Sequence, residues 1–401
     1  MKKGWQTKLL GEVLEKTETV NPHQSPNSEF DYIDVSSVSN TSFEIEETQR
    51  LKGKNAPSRA RKLVRTNDII FATIRPTLQR IAVVPKHLDK QVCSTGYFVL
   101  RPNQGIDHRF VFYSLFTENF SAQMESLQKG ASYPAVTDGD VRAQEIPVPP
   151  LAEQQRIVGL LDEAFESIAT AKVNAEKNLQ NARALFESYL QSVFTQRGPG
   201  WVKTTLGAEI DLLAGFAFKS AQYTNDNDDI RLLRGDNIIQ GCLRWEDVKR
   251  WPVDDTEEYE RYQLEEGDIV LAMDRPWVKA GLKHATIAAD DLPCLLVQRT
   301  ALLRGRANID NRFLMLLIGS SAFTSHILGV QTGIGVPHIS GQQIKDFEFT
   351  RPPIADQRRI ADNLESLREE SQCLTRLYER KLSALEALKR SLLHQAFTGE
   401  L

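Results

Sequence analysis

The stretches PPLAEQQRI at residues 149–157 and PPIADQRRI at residues 352–360 are the most informative part of the sequence about its architecture. Paired prolines end the segment before them and suit the first turn of a helix. Residues 151–194, after the prolines of the first copy, contain no proline and only one glycine, Gly159. This composition therefore predicts a helix over residues 151–194, about 44 residues and roughly 66 Å long. The second copy predicts a similar helix that runs towards the end of the chain.

Both helices carry a 4-3 spacing of apolar side chains, which is typical of a coiled coil. The first seam is mostly alanine and the second mostly leucine, so we expect the helices to pair with each other. The polar residues Asn178 and Lys381 occupy equivalent seam positions and would fix the register. The alternative is that each helix packs only on its own domain. The predicted seams are Ile157, Leu161, Ala164, Ile168, Ala171, Ala175, Asn178, Ala182, Leu185 and Tyr189, and Ile360, Leu364, Leu367, Ser371, Leu374, Tyr378, Lys381, Leu385, Leu388 and Leu392.

The helices belong to a two-fold internal repeat of the whole chain. Three pairs of matching segments define it. Trp5 and Leu10-Gly11 return as Trp201 and Leu206-Gly207 at an offset of 196, and Asp68-Ile69-Ile70 and Arg75-Pro76 return as Asp268-Ile269-Val270 and Arg275-Pro276 at an offset of 200. IDHRF (106–110) returns as IDNRF (309–313) at an offset of 203. The offset grows only in the front part of each unit, so the insertions lie there. We expect a front domain at 1–150, a helix at 151–197, a second front domain at 198–350 and a second helix at 351–401.

The front domains have the pattern of mixed α and β structure. Short β-branched runs bounded by turn residues predict strands within residues 64–74 and 267–273, and again at 96–102 and 299–305. The longer apolar runs RFVFYSLF (109–116) and RFLMLLIG (312–319) are typical of buried helices.

Length and composition narrow the class of protein. The 401 residues are enough for two or three domains, and 41% hydrophobic with 25% charged residues is ordinary for a globular protein. No apolar run reaches 18 residues and the first residues lack an apolar signal segment, so we expect neither a membrane span nor secretion. Four scattered cysteines indicate reduced thiols in the cytoplasm.

Signatures of catalysis are missing from the sequence. There is no phosphate-binding G-x-x-x-x-G-K-[ST] loop, no dinucleotide-binding glycine motif after a strand, no G-x-S-x-G and no histidine or cysteine pair at metal-ligand spacing. The acidic residues around 254–260 are typical of a solvated turn. We therefore expect a chain that is not itself an enzyme and holds no metal or cofactor.

Basic residues are concentrated in the first front domain, although the whole chain has a net charge of −4. Residues 51–101 contain eleven Lys or Arg and two acids. Lysine and arginine separated by small polar residues suit contact with phosphate, and arginine also suits guanine. The alternative is a solubilising loop. The predicted DNA-binding residues of this domain are Lys52, Lys54, Ser58, Arg59, Arg61, Lys62, Arg75, Thr77, Gln79, Arg80, Lys129 and Tyr133.

The second front domain is acidic, with 16 Lys or Arg against 22 Asp or Glu over residues 201–350. Its basic residues nevertheless gather in loops, one of which is the repeat partner of Arg75–Arg80. These arginines are candidates for base contacts or for structural ion pairs. Glycine loops near Gly130 and Gly333 offer backbone amides to phosphate, or are simply tight turns. The predicted DNA-binding residues here are Arg231, Arg234, Asn237, Arg275, Trp277, Lys279, Lys283 and His338.

The repeated PP-[LI]-A-x-Q-x-R-I helix start, the W-x₄-LG opening and the D-I-[IV] strand followed by R-P resemble the specificity subunit of type I restriction–modification enzymes. The resemblance covers nearly the whole chain. It implies an α+β fold with two globular target-recognition domains in tandem, separated by two long helices that form an antiparallel coiled coil. It also implies a split, asymmetric DNA site, whose half-sites would lie roughly 34–36 Å apart.

The same resemblance implies partners for the chain. These are double-stranded DNA, two methyltransferase subunits that use S-adenosylmethionine, and a restriction subunit that uses ATP and Mg²⁺, whereas the chain itself binds none of these cofactors. The helix starts would be the docking surface, with Gln154, Arg156, Gln357 and Arg359 as exposed candidates. The competing hypothesis is a coiled-coil scaffold with two protein-binding heads, which the acidic second domain favours. A stand-alone nuclease lacks the metal cluster or phosphate loop it would need.

Overall fold

The structure is a computed structural model that describes residues 4–195, 197–255, 257–333 and 335–401. Its contacts form two units, one made of Met1–Lys177 and Tyr378–Leu401, the other of Asn178–Leu377. Each long helix therefore contributes one part to each unit. The domain bounds predicted from the sequence divide the chain at the starts of the long helices and not within them. These bounds stay predictions.

The first unit contains two small sheets, a strand pair and three short helices. Strands β2 and β7 are parallel in a sheet of order β3-β2-β7-β4, and β5 is central in a second sheet of order β6-β5-β8. The strands are β1 (Gln6–Leu9), β2 (Glu29–Ile33), β3 (Gln49–Lys52), β4 (Ala60–Leu63), β5 (Ile69–Ala72), β6 (Ile81–Val83), β7 (Val92–Ser94), β8 (Tyr97–Leu100) and β9 (Glu145–Val148). The helices are α1 (His108–Ser114), α2 (Glu118–Leu127), α3 (Asp138–Arg142) and the long α4 (Leu151–Thr195).

The second unit repeats this plan. Strands β12 and β18 are parallel in a sheet of order β13-β12-β18, and the other main sheet has the order β11-β19-β14-β17. The strands are β10 (Val202–Thr205), β11 (Ile210–Ala214), β12 (Ile230–Leu233), β13 (Lys249–Trp251), β14 (Ile269–Ala272), β15 (Trp277–Val278), β16 (Gly281–Leu282), β17 (His284–Thr286), β18 (Cys294–Leu296), β19 (Thr300–Gly305) and β20 (Glu348–Arg351). The helices are α5 (Leu206–Glu209), α6 (Asn311–Ile318), α7 (Ser321–Val330), α8 (Gly341–Lys345) and the long α9 (Ile354–Thr398).

The central strand of each unit is buried on both faces. In β5, Ile69 and Phe71 pack with the short helices, whereas Ile70 and Ala72 pack on the opposite side of the sheet. Strand β14 is divided between two clusters in the same way. This two-sided burial explains why both strands are continuous apolar runs and do not alternate with polar residues. The strands and helices predicted from these apolar runs are confirmed.

A buried carboxylate precedes each central strand and explains the repeated aspartate of the D-I-[IV] motif. Asp68 accepts a hydrogen bond from the Arg65 amide at 2.8 Å and two from the Arg101 guanidinium, both at 2.8 Å. Asp268 is equivalent and accepts two bonds from Arg304. The carboxylate thus closes the turn before the central strand and ties it to the neighbouring strand.

Helices α4 and α9 pair antiparallel in both units. In the first unit, Ile157 and Leu161 of α4 pack with Leu393 and Ala396 of α9. In the second unit, Leu190 and Val193 of α4 pack with Leu364 of α9. Residue numbers therefore increase along α4 while they decrease along the α9 residues that it contacts, so the two helices run in opposite directions. Both helices have 45 residues, so the predicted long paired helices are confirmed, and packing of each helix on its own domain alone is excluded.

Part of the predicted seam is wrong. Leu185 and Tyr189 on α4 are 44% and 38% exposed, and Leu374 and Leu388 on α9 are 37% and 48% exposed. Lys381 is exposed as well and does not fix the register. Beyond the buried Ala182, the packed face of α4 passes through Phe186, Leu190 and Val193. Two successive four-residue steps rotate the buried face relative to a strict heptad. This part of the helix also packs on α6, where the rings of Phe194 and Phe313 lie 5.6 Å apart.

Candidate nucleic-acid interface

Each unit holds an arginine in the left-handed backbone region three residues after the end of its central strand, and the second unit has another left-handed arginine, Arg299, with φ 67°. Arg75 has φ 50° and Arg275 has φ 43°, and the two occupy equivalent positions of the repeat. A side chain in this region costs about 1–3 kcal/mol unless the surroundings compensate, and such strain is concentrated at functional sites. We name residues 74–80 and 274–283 the arginine loops.

A second loop in each unit holds the arginine loop in place. The Arg75 amide donates to the Pro134 carbonyl at 2.7 Å, and the Arg275 amide donates to the Pro337 carbonyl at 2.6 Å. These glycine loops, residues 129–136 and 332–339, turn at Gly130 and Gly333, which both have positive φ. Ile334, in the second glycine loop, lies outside the described residues. The strained arginine is therefore part of a two-loop arrangement that occurs twice.

The first arginine loop presents an exposed cation beside an exposed aromatic ring. The guanidinium of Arg75 lies 5.3 Å from the ring centroid of Tyr133, which is 72% exposed. Among the described residues, no carboxylate forms an ion pair with Arg75. Thr77 and Lys129 are exposed on the same two loops. The pair presents charge, planar surface and hydrogen-bond donors together, which are the groups that contact phosphates and base edges.

Other predicted DNA-binding residues of the first domain are exposed on the segment that leads into strand β4. Arg59 is exposed, and its carbonyl accepts a hydrogen bond from the Thr95 amide at 2.8 Å. Gly96, the residue after Thr95, accepts a hydrogen bond from the amide of Thr73, which precedes the arginine loop. Lys52, Lys54 and Ser58 are also exposed, in the segment that leads to Arg59. In the described part of the chain, none of the cations Lys52, Lys54 and Arg59 forms an ion pair.

Other predicted contacts of the first domain are used inside the fold. The Lys62 ammonium donates to the Tyr97 carbonyl at 2.6 Å and pairs with Asp138 at 2.8 Å. Arg80 donates to three carbonyls, those of Val35, Ser36 and Val38. Gln79 donates to Ser121 and Arg61 to Asn21. Lys62 and Arg80 therefore hold loops together within the domain, and their prediction as DNA contacts stays a prediction.

The second arginine loop forms one wall of an open cavity of about 370 Å³. Four cations and two carboxylates line this cavity: Arg234, Arg275, Lys283 and Arg299, with Asp236 and Asp274. Arg234 pairs with Asp236 at 2.9 Å and Arg299 with Asp274 at 2.6 Å. Among the described residues, neither Arg275 nor Lys283 has an ion-pair partner. The cavity therefore carries net positive charge, although the domain as a whole is acidic.

Burial and neighbouring charges both affect the pKa of the Lys283 ammonium. Partial burial is the largest influence and lowers the pKa of this ammonium, while nearby Asp236 raises it and Arg275 and Arg244 lower it. Lys283 is the repeat partner of Arg80, since each residue accepts a strand hydrogen bond from the last residue of the central strand. In the first unit this cation is satisfied by carbonyls, and in the second it faces the cavity.

Two predicted residues of the second domain form hydrogen bonds within the fold, and their role in DNA binding stays a prediction. Asn237 is 4% exposed, accepts from the Arg234 amide and donates to the Arg244 carbonyl, both at 3.0 Å. Arg231 donates to the carbonyls of Asp290 and Leu292 and lies 5.1 Å from the Trp245 ring centroid. His338 is exposed at the foot of the glycine loop, where it contacts the Thr332 hydroxyl at 3.0 Å.

The second arginine loop also contains a two-stranded ribbon that the sequence analysis did not predict. Strands β15 and β16 pair Trp277 with Leu282 and Val278 with Gly281. Trp277 is 41% exposed, and Lys279 at the tip is exposed. The change of the repeat offset from 200 to 203 was the available signal for an insertion here. Arg299 was also missed, since no motif marks it.

The predicted docking residues have two different environments. Gln154 and Gln357 are 1% and 0% exposed, so their prediction as exposed residues is wrong. Each amide side chain accepts a hydrogen bond from the residue before a short helix. Gln154 accepts from the Asp107 amide before α1 at 2.8 Å, and Gln357 accepts from the Asp310 amide before α6 at 2.9 Å. Arg156 and Arg359 are exposed and form local ion pairs with Glu153 and Asp356.

Two negative findings apply to the described part of the chain. No group of three or more His, Cys, Asp or Glu side chains there could hold a metal ion. No single described helix is long and apolar enough to cross a membrane. The bent pair α6 and α7 meets the length and composition criteria only when the two helices are taken together.

The chain belongs to the family of the type I restriction modification DNA specificity domain, whose model matches residues 2–180 and again residues 200–380. The resemblance inferred from the repeated motifs is thereby confirmed, and the fold is that of a type I specificity subunit.

Named relatives agree with this assignment. The EcoAI specificity subunit of Escherichia coli is 40% identical over 169 residues, which cover 42% of this chain and 28% of that subunit. The MjaVIII specificity subunit of Methanocaldococcus jannaschii is 26% identical over 353 residues, 84% of this chain and 80% of that one. The crystal structure of the HsdS subunit from Thermoanaerobacter tengcongensis is 28% identical with a TM-score of 0.75, covering 100% of this chain and 98% of that one.

Proposed function

We propose that this chain reads a two-part, asymmetric DNA site, one half with each unit. The observation that carries the proposal is the clamped, left-handed arginine at equivalent positions of both units, Arg75 and Arg275. Each is exposed, and among the described residues neither is paired with a carboxylate. The side chains around the two arginines differ, Tyr133 in one unit and the cationic cavity in the other. Two different readers require two different half-sites.

The chain acts as a recognition subunit and leaves catalysis to its partners. Methyltransferase subunits, two per complex, supply S-adenosylmethionine chemistry on adenine, and a restriction subunit uses ATP and Mg²⁺. The family membership and the specificity-subunit relatives support this division of labour. We place the complex in the cytoplasm, where it meets the DNA. The exposed arginines Arg156 and Arg359 remain candidates for docking these partners.

The scaffold hypothesis gives no reason for the arginine loops. Two protein-binding heads would not need a strained cation at the same position of both units. The acidity of the second domain favoured that hypothesis, but this domain presents four cations against two acids around its cavity. DNA binding is therefore the function that the geometry favours.

The test is a methylation map with matched variants. The chain is co-expressed with its methyltransferase subunit in a host without DNA methylation, and the modified adenines are sequenced. A single split motif with a fixed gap is expected from the wild type. Arg75→Gly should weaken or relax one half of the motif and Arg275→Gly the other, each by about 5- to 150-fold in binding, since one good base contact is worth about 1–3 kcal/mol.

Glycine is the informative replacement because it also removes backbone strain. A structural arginine would lower stability when removed, whereas a strained DNA-binding arginine leaves the melting temperature unchanged or raises it. The charge control is Arg50→Ala. Arg50 is 59% exposed and pairs with Asp31 on a different part of the first unit. Alanine is used there because Arg50 has no left-handed backbone that glycine would relax. No split motif from a soluble, complete complex would refute the proposal, as would wild-type methylation by both glycine variants.

A further inference from the structure

Within the part of the chain that the structure describes, the ribbon of residues 277–282 is an extension of the second unit without a counterpart in the first. In the first unit, the equivalent segment is the single short turn Pro76–Leu78. In the second, Trp277–Val278 and Gly281–Leu282 form an antiparallel hairpin with Lys279 and Ala280 at its tip. The extension therefore gives the second unit a reading element that the first one lacks.

The ribbon is fixed at its base and free at its tip. The Lys283 amide donates to the Pro276 carbonyl at 2.8 Å, which closes the hairpin, and Leu282 is only 4% exposed. Gln240 donates to the Gly281 carbonyl at 3.2 Å and holds the second strand to a neighbouring loop. Beyond these anchors Trp277, Val278, Lys279 and Ala280 are all exposed. Such an element can project into a partner without being reordered.

Charge and shape direct this ribbon towards duplex DNA. Arg275, Lys279 and Lys283 lie within six residues of the exposed Trp277 in sequence, and among the described residues no carboxylate pairs with any of them. Cations in this arrangement draw the element to the phosphates. The major groove admits a two-stranded ribbon, since adjacent strands are only about 4.8 Å apart and the groove is about 12 Å wide.

The indole of Trp277 has a specific chemical complement in that groove. Among the described residues, nothing accepts a hydrogen bond from its Nε1–H, and 41% of the residue is exposed. Thymine presents an O4 acceptor and an apolar C5 methyl group side by side at its major-groove edge. Guanine and adenine offer acceptors without a methyl group, and cytosine offers a donor that an indole N–H cannot meet. An apolar ring with one donor therefore fits thymine best.

We propose that the 277–282 ribbon enters the major groove of the half-site read by the second unit, and that Trp277 recognises a thymine there through its methyl group and O4. This inference rests on the proposed function. It adds a base-specific apolar contact that distinguishes the two half-sites.

The experiment uses the complex of this chain with its methyltransferase subunits and a duplex containing the mapped motif. The half read by the second unit is the one that Arg275→Gly relaxes. Each thymine of that half is replaced in turn by uracil, which removes the methyl group and keeps O4. At one position the wild type should lose about 4-fold in affinity, the value of one buried methyl group. Trp277→Ala should lose about 5- to 150-fold on the thymine duplex and show no further loss with uracil.

Matched variants separate this contact from general effects. Val278→Ala removes an apolar side chain of similar exposure from the other face of the same strand and should bind like the wild type. Trp277→Phe keeps the ring without the donor and should still discriminate uracil. Equal binding of thymine and uracil duplexes at every position would overturn the inference, as would wild-type affinity of Trp277→Ala.

Unstacking is measured separately. A rise in 2-aminopurine fluorescence next to the Trp277-dependent base, together with tolerance of uracil, would show a wedge between base pairs and overturn thymine reading. Failure of this inference is distinguishable from failure of the proposed function. In the first case a split motif is still methylated and still depends on Arg75 and Arg275, and in the second case no such motif exists.

Discussion

Gln357→Ala is expected to destabilise the second unit although it lies at the start of a long helix whose outer face is exposed. The Gln357 side chain accepts from the Asp310 amide at 2.9 Å and donates to the carbonyls of Pro352 at 2.8 Å and Asn308 at 2.9 Å. Gln357 itself is fully buried. The substitution therefore breaks three hydrogen bonds and leaves their partners in the protein interior.

The magnitude follows from these contacts. Three hydrogen bonds at about 1 kcal/mol each and one buried methylene at about 0.8 kcal/mol give a loss of about 4 kcal/mol in the free energy of unfolding. For a unit of about 200 residues, each kcal/mol lowers the melting temperature by about 2–4 °C. We expect a decrease of about 8–16 °C in the transition of the second unit, measured by calorimetry.

Arg359→Ala is the matched control, two residues further along the same helix. Its side chain is 71% exposed and, among the described residues, pairs with Asp356 alone, so its loss should cost less than about 0.5 kcal/mol. If Gln357→Ala keeps the wild-type melting temperature but loses its affinity for the methyltransferase subunit, the structural role argued here is wrong and a docking role is restored.

Two further predictions concern stability. Asp68→Ala leaves the buried guanidinium of Arg101 with Glu18 as its one carboxylate partner among the described residues, and should destabilise the first unit by about 3–5 kcal/mol in urea unfolding; a loss below 1 kcal/mol would contradict the buried ion pair. Ala182→Leu places a larger side chain at a 4% exposed helix contact, where Ser371 donates to the Ala182 carbonyl, and should cost about 1–3 kcal/mol. Leu185→Ala, at an exposed position, should cost much less, and the reverse order would restore the strict heptad seam.

The free cations could be predicted only in part. Arg75 and Arg275 were found because they return at the same place in the repeat. Lys62 looked equally suitable in the sequence, but its ammonium is satisfied by Asp138, 76 residues away. Whether a charged side chain is free depends on acceptors that distant segments bring to it, and no local pattern carries that information.

The repeat, the two long helices and the central strands could be predicted from the sequence, because each depends on local periodicity, on proline positions and on runs of apolar residues. Three other features required the folded chain: Gln154 and Gln357 face inwards, the packed face of α4 rotates after Ala182, and residues 277–282 form a projecting ribbon. These features depend on what packs against a segment. The physical reason is that burial and hydrogen-bond satisfaction are properties of pairs of surfaces, whereas a sequence pattern describes one surface at a time.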